Sequence, residues 1–361
     1  MTTPLPRPRP GDRRPTVHCP DRRCVLSAAG GGALEAAVLP VAPLPGANPW
    51  GRRGVGREEM TALHRAVAAV RYADSRHGGG NAQAQAAAHL LDQWVRPLLG
   101  RPLTEDRQRE LCGVGAELAR LAGWAALDTG QHSTARHHFD RALYWARAAN
   151  DPDLIAYILT TAALQATLYG RPSDALALTN GALSAAGHAH ARVMGFTKLI
   201  EARAHARAGD RRAASAALAA AERLLDKPCP HGTPGWLDFF TRPRLAADAA
   251  EIHRDLGDIR ACLAWNEQAS GMAPNAFTRS VGMRLTVVAT AHLKSGDLEQ
   301  SLALGHRALD ILRYVDSGRA RDYVRRLAKG LVPHRGLHAV DAFLARLRQE
   351  FAPAAHPAPV P

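Results

Sequence analysis

Aromatic side chains make up only 5% of the 361 residues, and the chain holds just five cysteines and no long apolar run. Each shortage excludes something. A bilayer-spanning helix needs ~20 apolar residues, and the longest uncharged helical stretch, 154–170, contains Thr160, Thr161, Gln165 and Thr167. No membrane span is expected. Cys19, Cys24, Cys112, Cys229 and Cys262 are odd in number and irregular in spacing. Disulfide frameworks belong to small secreted domains, which favours a reducing, cytoplasmic setting. A zinc set drawn from His18, Cys19, Cys24, Cys229 and His231 has neither a CxxC pair nor an HExxH helix behind it. No metal and no cofactor are expected. Lysine occurs four times, at Lys198, Lys227, Lys294 and Lys329, against 42 arginines. That ratio reads as the codon bias of a GC-rich genome, so clusters of arginine carry reduced weight.

What the chain does have is alanine, at 71 positions, within a hydrophobic fraction of 46%. Alanine gives up no side-chain entropy and has the highest helix propensity. From residue 57 apolar positions recur at i, i+3, i+4 and i+7 with almost no β-branched alternation, so the body is expected to be all α. Residues 1–56 differ. The segment 1–57 holds ten of the 24 prolines and nine Arg against three acids. It reads as a disordered tail or linker, as does the proline-rich 352–361. Arg22-Arg23 followed by an apolar run resembles a twin-arginine signal, though Glu35, Gly30-Gly31-Gly32 and Pro40 interrupt that run. An exported scaffold therefore stays open as an alternative.

Gly130, Gly170, Gly209, Gly257 and Gly296 lie 40, 39, 48 and 39 residues apart. Aligned on these glycines, the positions five residues on are Ala135, Ala175, Ala214, Cys262 and Ser301. Those twelve on are Ala142, Ala182, Ala221, Ala269 and Ala308, and those seven before are Gly123, Ala163, Ala202, Ala250 and Ala289. All are small. Glycine accepts the left-handed conformation that ends a helix, and small residues let helices approach closely. Asp210, Asp258 and Asp297 follow three of the turns and suit N-caps of the next helix. The pattern is the small-residue skeleton of a tetratricopeptide repeat, and it predicts an α-solenoid of about five helix–turn–helix units.

The unit departs from the usual one by running roughly five residues beyond 34. The aromatic place filled by Phe139 is taken by Thr179, Leu218, Asn266 and Gly305 elsewhere. The long spacing comes from an insertion, 228–235, that leads into Trp236-Leu237-Asp238-Phe239-Phe240. Flanking helices are expected at 58–76 and 81–99, split by Gly78-Gly79-Gly80, and at 317–331 and 337–351. The repeat domain thus covers 57–351.

Several segments resemble a large actinobacterial family of tetratricopeptide-repeat regulators. They are Ala116 to Trp124, Glu201 to His205, Ala250 to Leu256, Asp74-Ser75-Arg76-His77-Gly78-Gly79-Gly80 and Arg321-Asp322-Tyr323-Val324. Asp21 to Gly31 is similar to the linker that follows the DNA-binding domain in such proteins. The resemblance implies an N-terminal helix-turn-helix domain, a linker and a helical repeat half. Residues 1–20 depart from it, because four prolines within seven residues forbid a recognition helix. The implied role is transcriptional regulation by the repeat half. The alternative is a full DNA-binding regulator whose first domain is missing from this reading frame.

No nucleophile elbow, P-loop or dinucleotide fingerprint occurs, so no enzyme is expected. His137-His138 and His188-Ala189-His190 read as exposed turns rather than metal ligands. Binding is the open question. In tetratricopeptide repeats positions 2, 5, 9, 12 and 13 of each unit line a concave groove. By register these are Glu117, Arg120, Trp124 and Asp128, then Tyr157, Thr160 and Leu164. Arg203 and Arg207 follow, then Arg244, Glu251, Arg254 and Asp255, and last Met283, Thr290 and Lys294. The arginines suit carboxylates of a protein or peptide partner, and Tyr157 and Trp124 suit an apolar anchor. Glu117/Arg120 and Glu251/Arg254/Asp255 are also spaced to satisfy each other along their own helices. The formal charge of +13 allows weak, non-specific nucleic-acid contact through the basic tail. Membrane binding is not expected, and oligomerisation stays open.

Overall fold

The computed structural model describes residues 55–186, 190–229 and 232–351. The expectations about the proline-rich tail, Arg22-Arg23, Cys19, Cys24, His188, His231 and residues 352–361 fall outside the described residues. Those described form helices, with no strand among them. In order they are α1 (Arg57–His77), α2 (Asn81–Leu90), α3 (Arg96–Leu99), α4 (Glu105–Asp128), α5 (His132–Ala149), α6 (Pro152–Leu168) and α7 (Pro172–Ala186). There follow α8 (Ala191–Arg207), α9 (Arg211–Leu225), α10 (Arg242–Asp255), α11 (Ile259–Ala269), α12 (Thr278–Lys294), α13 (Leu298–Leu312), α14 (Gly318–Leu331) and α15 (His338–Glu350). A π-helical turn, Leu91–Val95, joins α2 to α3.

The glycine periodicity appears as local geometry. Gly130, Gly170, Gly209, Gly257 and Gly296 all have positive φ, between 69° and 86°. Each follows α4, α6, α8, α10 or α12. In each turn the next residue's N–H reaches back to the carbonyl five positions earlier, as in Asp258 to His253 at 2.8 Å. This is the Schellman closure, which satisfies carbonyls that a helix end leaves open. Asp210, Asp258 and Asp297 then accept from the amides of Ala213, Ala261 and Gln300 and start α9, α11 and α13.

The small residues sit where helices meet. Ala135, Ala175, Ala214, Cys262 and Ser301 are fully buried, as are Ala142, Ala182, Ala221, Ala269 and Ala308. At Gly123 an added Cβ would stand 2.8 Å from the Phe139 ring. The fifth unit inverts that arrangement. Gly305 stands where Phe139 does in the first, and the space above it is filled by Phe343 of α15, 2.9 Å from the position of a Cβ. Phe343 is completely buried.

Consecutive helices pair as α4/α5, α6/α7, α8/α9, α10/α11 and α12/α13. Within this array the even-numbered helices from α4 to α14 also touch one another in succession. The flanking helices occupy the expected segments. Helix α2 packs on α4, α14 on α12 and α13, and α15 on α13. Helix α1 runs against both α4 and α12, so the first and last thirds of the described chain meet. Val55, assigned to the tail by composition, is buried with the helices.

Candidate functional site

Nine charged residues among those described are buried, and two ion-pair networks hold seven of them. In the first, Asp128 at the end of α4 accepts from the Gly79 amide at 2.9 Å, Ser317 Oγ at 2.9 Å, Arg279 Nη1 at 3.1 Å and Arg319 Nε at 3.2 Å. Arg279 also holds Asp74 of α1, Nη2 to Oδ2 at 2.8 Å. Burial alone would raise the Asp128 pKa, but Arg279 and Arg319 outweigh it and hold the carboxyl below its ordinary value. The triple glycine makes this possible by close approach. A Cβ on Gly78 would lie 2.3 Å from the Asp316 carbonyl oxygen, and one on Gly79 2.8 Å from Asp128 Cβ. The Asp316 amide donates to the His77 carbonyl at 2.8 Å.

The second network joins α8, α10 and α14. Arg203 bridges Asp248 at 2.7 Å and Glu251 at 2.9 Å. Tyr323 donates its hydroxyl to Glu251 at 2.6 Å. Arg254 pairs with Glu251 at 3.2 Å and Asp255 at 2.6 Å, and Arg207 with Asp255 at 2.8 Å. Burial again works against the Glu251 charge, and Arg203, Arg254 and the Tyr323 hydroxyl overcome it, depressing its pKa.

The remaining groove positions surround two cavities. The larger, of about 510 Å³, is walled by α1, α4, α6, α8, the segment 236–239, α10, Phe277 and α12. The chain has 7 Phe, 6 Trp and 6 Tyr, and seven of these line this one cavity: Tyr72, Trp124, Tyr157, Phe196, Trp236, Phe239 and Phe277. Tyr157 stacks on Trp236 with ring centres 4.6 Å apart, and Phe239 meets Phe196 edge-on at 5.4 Å. The segment that follows the proline- and glycine-rich insertion therefore supplies a wall of the cavity. Arg71, Arg120, Arg244 and Arg279 also reach this space. Arg71 pairs with Glu117, Arg244 with Asp248 at 2.8 Å, and Arg279 with two aspartates.

Arg120 differs. It is only 5% exposed, no carboxylate of the described residues lies within ion-pair distance, and its Nε has no hydrogen-bond partner. Its guanidinium stands 5.0 Å from the centre of the Tyr157 ring. The intrahelical pair expected between Glu117 and Arg120 is not made, because Glu117 turns to Arg71 of α1.

The smaller cavity, of about 260 Å³, is lined by Arg207, Arg254, Asp255, Thr286, Thr290, Lys294, Tyr323 and Arg326. Lys294 is exposed, and neither it nor Arg326 forms an ion pair among the described residues.

The groove positions named from register thus fall into three groups. Arg120, Trp124, Tyr157, Leu164 and Arg244 line the aromatic cavity, and Arg207, Arg254, Asp255, Thr290 and Lys294 the basic one. Glu117, Asp128, Arg203 and Glu251 are buried in ion pairs, and Thr160 is fully buried with its hydroxyl 2.8 Å from that of Thr197. Met283 is buried in the core. Register did not single out Asp74, Asp248, Arg279, Ser317, Arg319, Trp236 or Phe239, nor Tyr323 as a partner of Glu251. Asp74 and Tyr323 lie in segments that carry the family resemblance, but no site role is read from them there.

Elsewhere, burial raises the thiols of Cys112 and Cys262 to about 11, so both stay protonated. His138 is pushed down to about 4 by burial, with Arg141 and His137 adding to the effect. His190 caps α8, accepting from the Arg192 amide at 3.2 Å. Among the described residues no group of three or more His, Cys, Asp or Glu is arranged to hold a metal ion, and no helix is long and apolar enough to cross a membrane.

Comparison with known proteins leaves the geometry to speak alone. No protein-family model matches the chain, and no curated protein is significantly similar to it in sequence.

Proposed function

We propose that the chain is a non-catalytic binding module, a tetratricopeptide-like α-solenoid that serves as the interaction half of a transcriptional regulator. Its inner helices hold a protein or peptide segment. The observation that supports this reading is convergence: register positions from α4, α6, α8, α10 and α12 line two neighbouring sets of cavity walls rather than scattering over the surface. At the basic cavity Lys294 and Arg326 form no ion pair among the described residues, although Arg326 stands 5.8 Å from the Tyr323 ring centre, and this suits the acidic side chains of a bound segment. Arg203 and Arg254, by contrast, are committed to Glu251 and serve the fold.

The test is affinity capture with the wild type and a Lys294→Glu/Arg326→Glu variant, followed by anisotropy titration of the captured protein's acidic segment. A segment bound by the wild type and released by a variant of unchanged melting temperature supports the reading. Equal binding by both proteins contradicts it.

A further inference from the structure

The aromatic cavity, one of the two that support the partner-binding reading, carries a second inference whose test rests on side chains other than Lys294 and Arg326. We infer that it is a receptor site for a small aromatic molecule bearing an anionic group, with Arg120 as the counter-ion.

Charge is the first argument. A guanidinium removed from water needs a partner, and burying a charge without one is costly. Every other arginine at this cavity has its carboxylate: Arg71 has Glu117, Arg244 has Asp248, and Arg279 has Asp74 and Asp128. Among the described residues Arg120 has no ion pair, only the Tyr157 ring face 5.0 Å away, and an Nε without an acceptor. Asp238, an exposed carboxylate of the same lining, forms no ion pair with Arg120 among the described residues, so the buried guanidinium is left for a ligand anion to neutralise.

Shape and surface are the second. Aromatic residues form 5% of the chain, yet Tyr72, Trp124, Trp236 and Phe239 join Tyr157 around this space. Such walls bury a flat apolar ring system and favour offset or edge-on contact with it. A volume of about 510 Å³ lies in the range that single small molecules occupy. Helix α1 and the segment 236–239 close two sides of the space, so it offers a compartment for one molecule. The ring would enter the aromatic box, and a carboxylate or sulfonate would meet the Arg120 N–H groups in charge-assisted hydrogen bonds.

The probe pair is 8-anilinonaphthalene-1-sulfonate and its uncharged relative N-phenyl-1-naphthylamine, titrated by fluorescence into the whole chain. We expect saturable binding of the sulfonate at one site per chain. Arg120→Met weakens it at least tenfold, while Arg120→Lys, which keeps the charge, loses less. Binding of the uncharged dye is unchanged by Arg120→Met. The melting temperature of Arg120→Met does not fall, because the change removes an uncompensated charge. Absence of one-site sulfonate binding overturns the inference. So does equal affinity of wild type and Arg120→Met for the sulfonate, or equal loss of both dyes in that variant. Since none of these variants touches Lys294 or Arg326, failure here leaves the partner-binding test standing, and the reverse.

Discussion

The Asp128 network and the aromatic cavity share Arg279, yet one is saturated with partners and the other is not. Asp128 accepts from four groups on three separate parts of the chain, and its side chain is fully enclosed. Arg120, on the same helix two turns earlier, is nearly as buried and forms no ion pair among the described residues. The first arrangement ties α1, α4, α12 and the start of α14 together. The second holds a charge in readiness. A buried ion pair need not add stability over an apolar substitute, but breaking one from a single side strands the other charge. The contrast therefore separates residues that assemble the fold from those available to a ligand.

The sharpest way to break that contrast is Asp128→Asn, which strands Arg319 and leaves Arg279 with Asp74 alone. Urea unfolding should show a loss of about 3–5 kcal/mol; a loss under 1 kcal/mol would mean the network does not hold the ends together. Next in size is the pH response. Asp128 and Glu251 are both held below their ordinary values of 3.8 and 4.5. The unfolded chain thus binds protons before the folded one does, so their stabilisation is complete above about pH 5 and fades as pH falls further. Thermal unfolding between pH 6 and pH 3 should show a falling midpoint, with a shallower slope in Glu251→Gln than in the wild type. A rising or flat wild-type midpoint would contradict the assignment.

A smaller effect is expected from Gly79→Ala, whose Cβ would meet Asp128 Cβ at 2.8 Å and Ala125 Cα at 3.0 Å. Overpacking there should cost about 1–3 kcal/mol in urea unfolding. Ser317→Ala removes one donor to Asp128 and the acceptor for the Ala320 amide at 3.0 Å. About 1–2 kcal/mol should follow. At the end of the series stands Arg120→Met, with no loss of stability and a loss of anion affinity.

How much of this was legible in the sequence follows the range of the interaction. The glycine turns, the aspartate caps and the fifteen small positions are set by neighbours within one helix pair, and periodicity exposes such contacts. Their geometry and burial match the reading. The charged networks are another matter. Arg279 reaches Asp74 across 205 positions and Asp128 across 151, and no spacing rule joins residues so far apart. The Glu251–Arg254 pair lies along one helix and was foreseeable; it is made. Glu117 and Arg120 have the same spacing, but the arrival of Arg71 on α1 redirects Glu117. That redirection leaves Arg120 without an ion pair among the described residues. The insertion is visible as a break in the repeat and the aromatic run after it is plain in the sequence, but that Trp236 and Phe239 face Tyr157 and Phe196 required the fold.

The measurement that tests the distinction most directly is anomalous scattering from crystals of the whole chain soaked in iodide, an anion that seeks uncompensated buried cations. The account predicts an iodide peak beside the Arg120 guanidinium in the aromatic cavity and none within the Asp128 network. Iodide confined to exposed arginines, with the cavity empty, would contradict it.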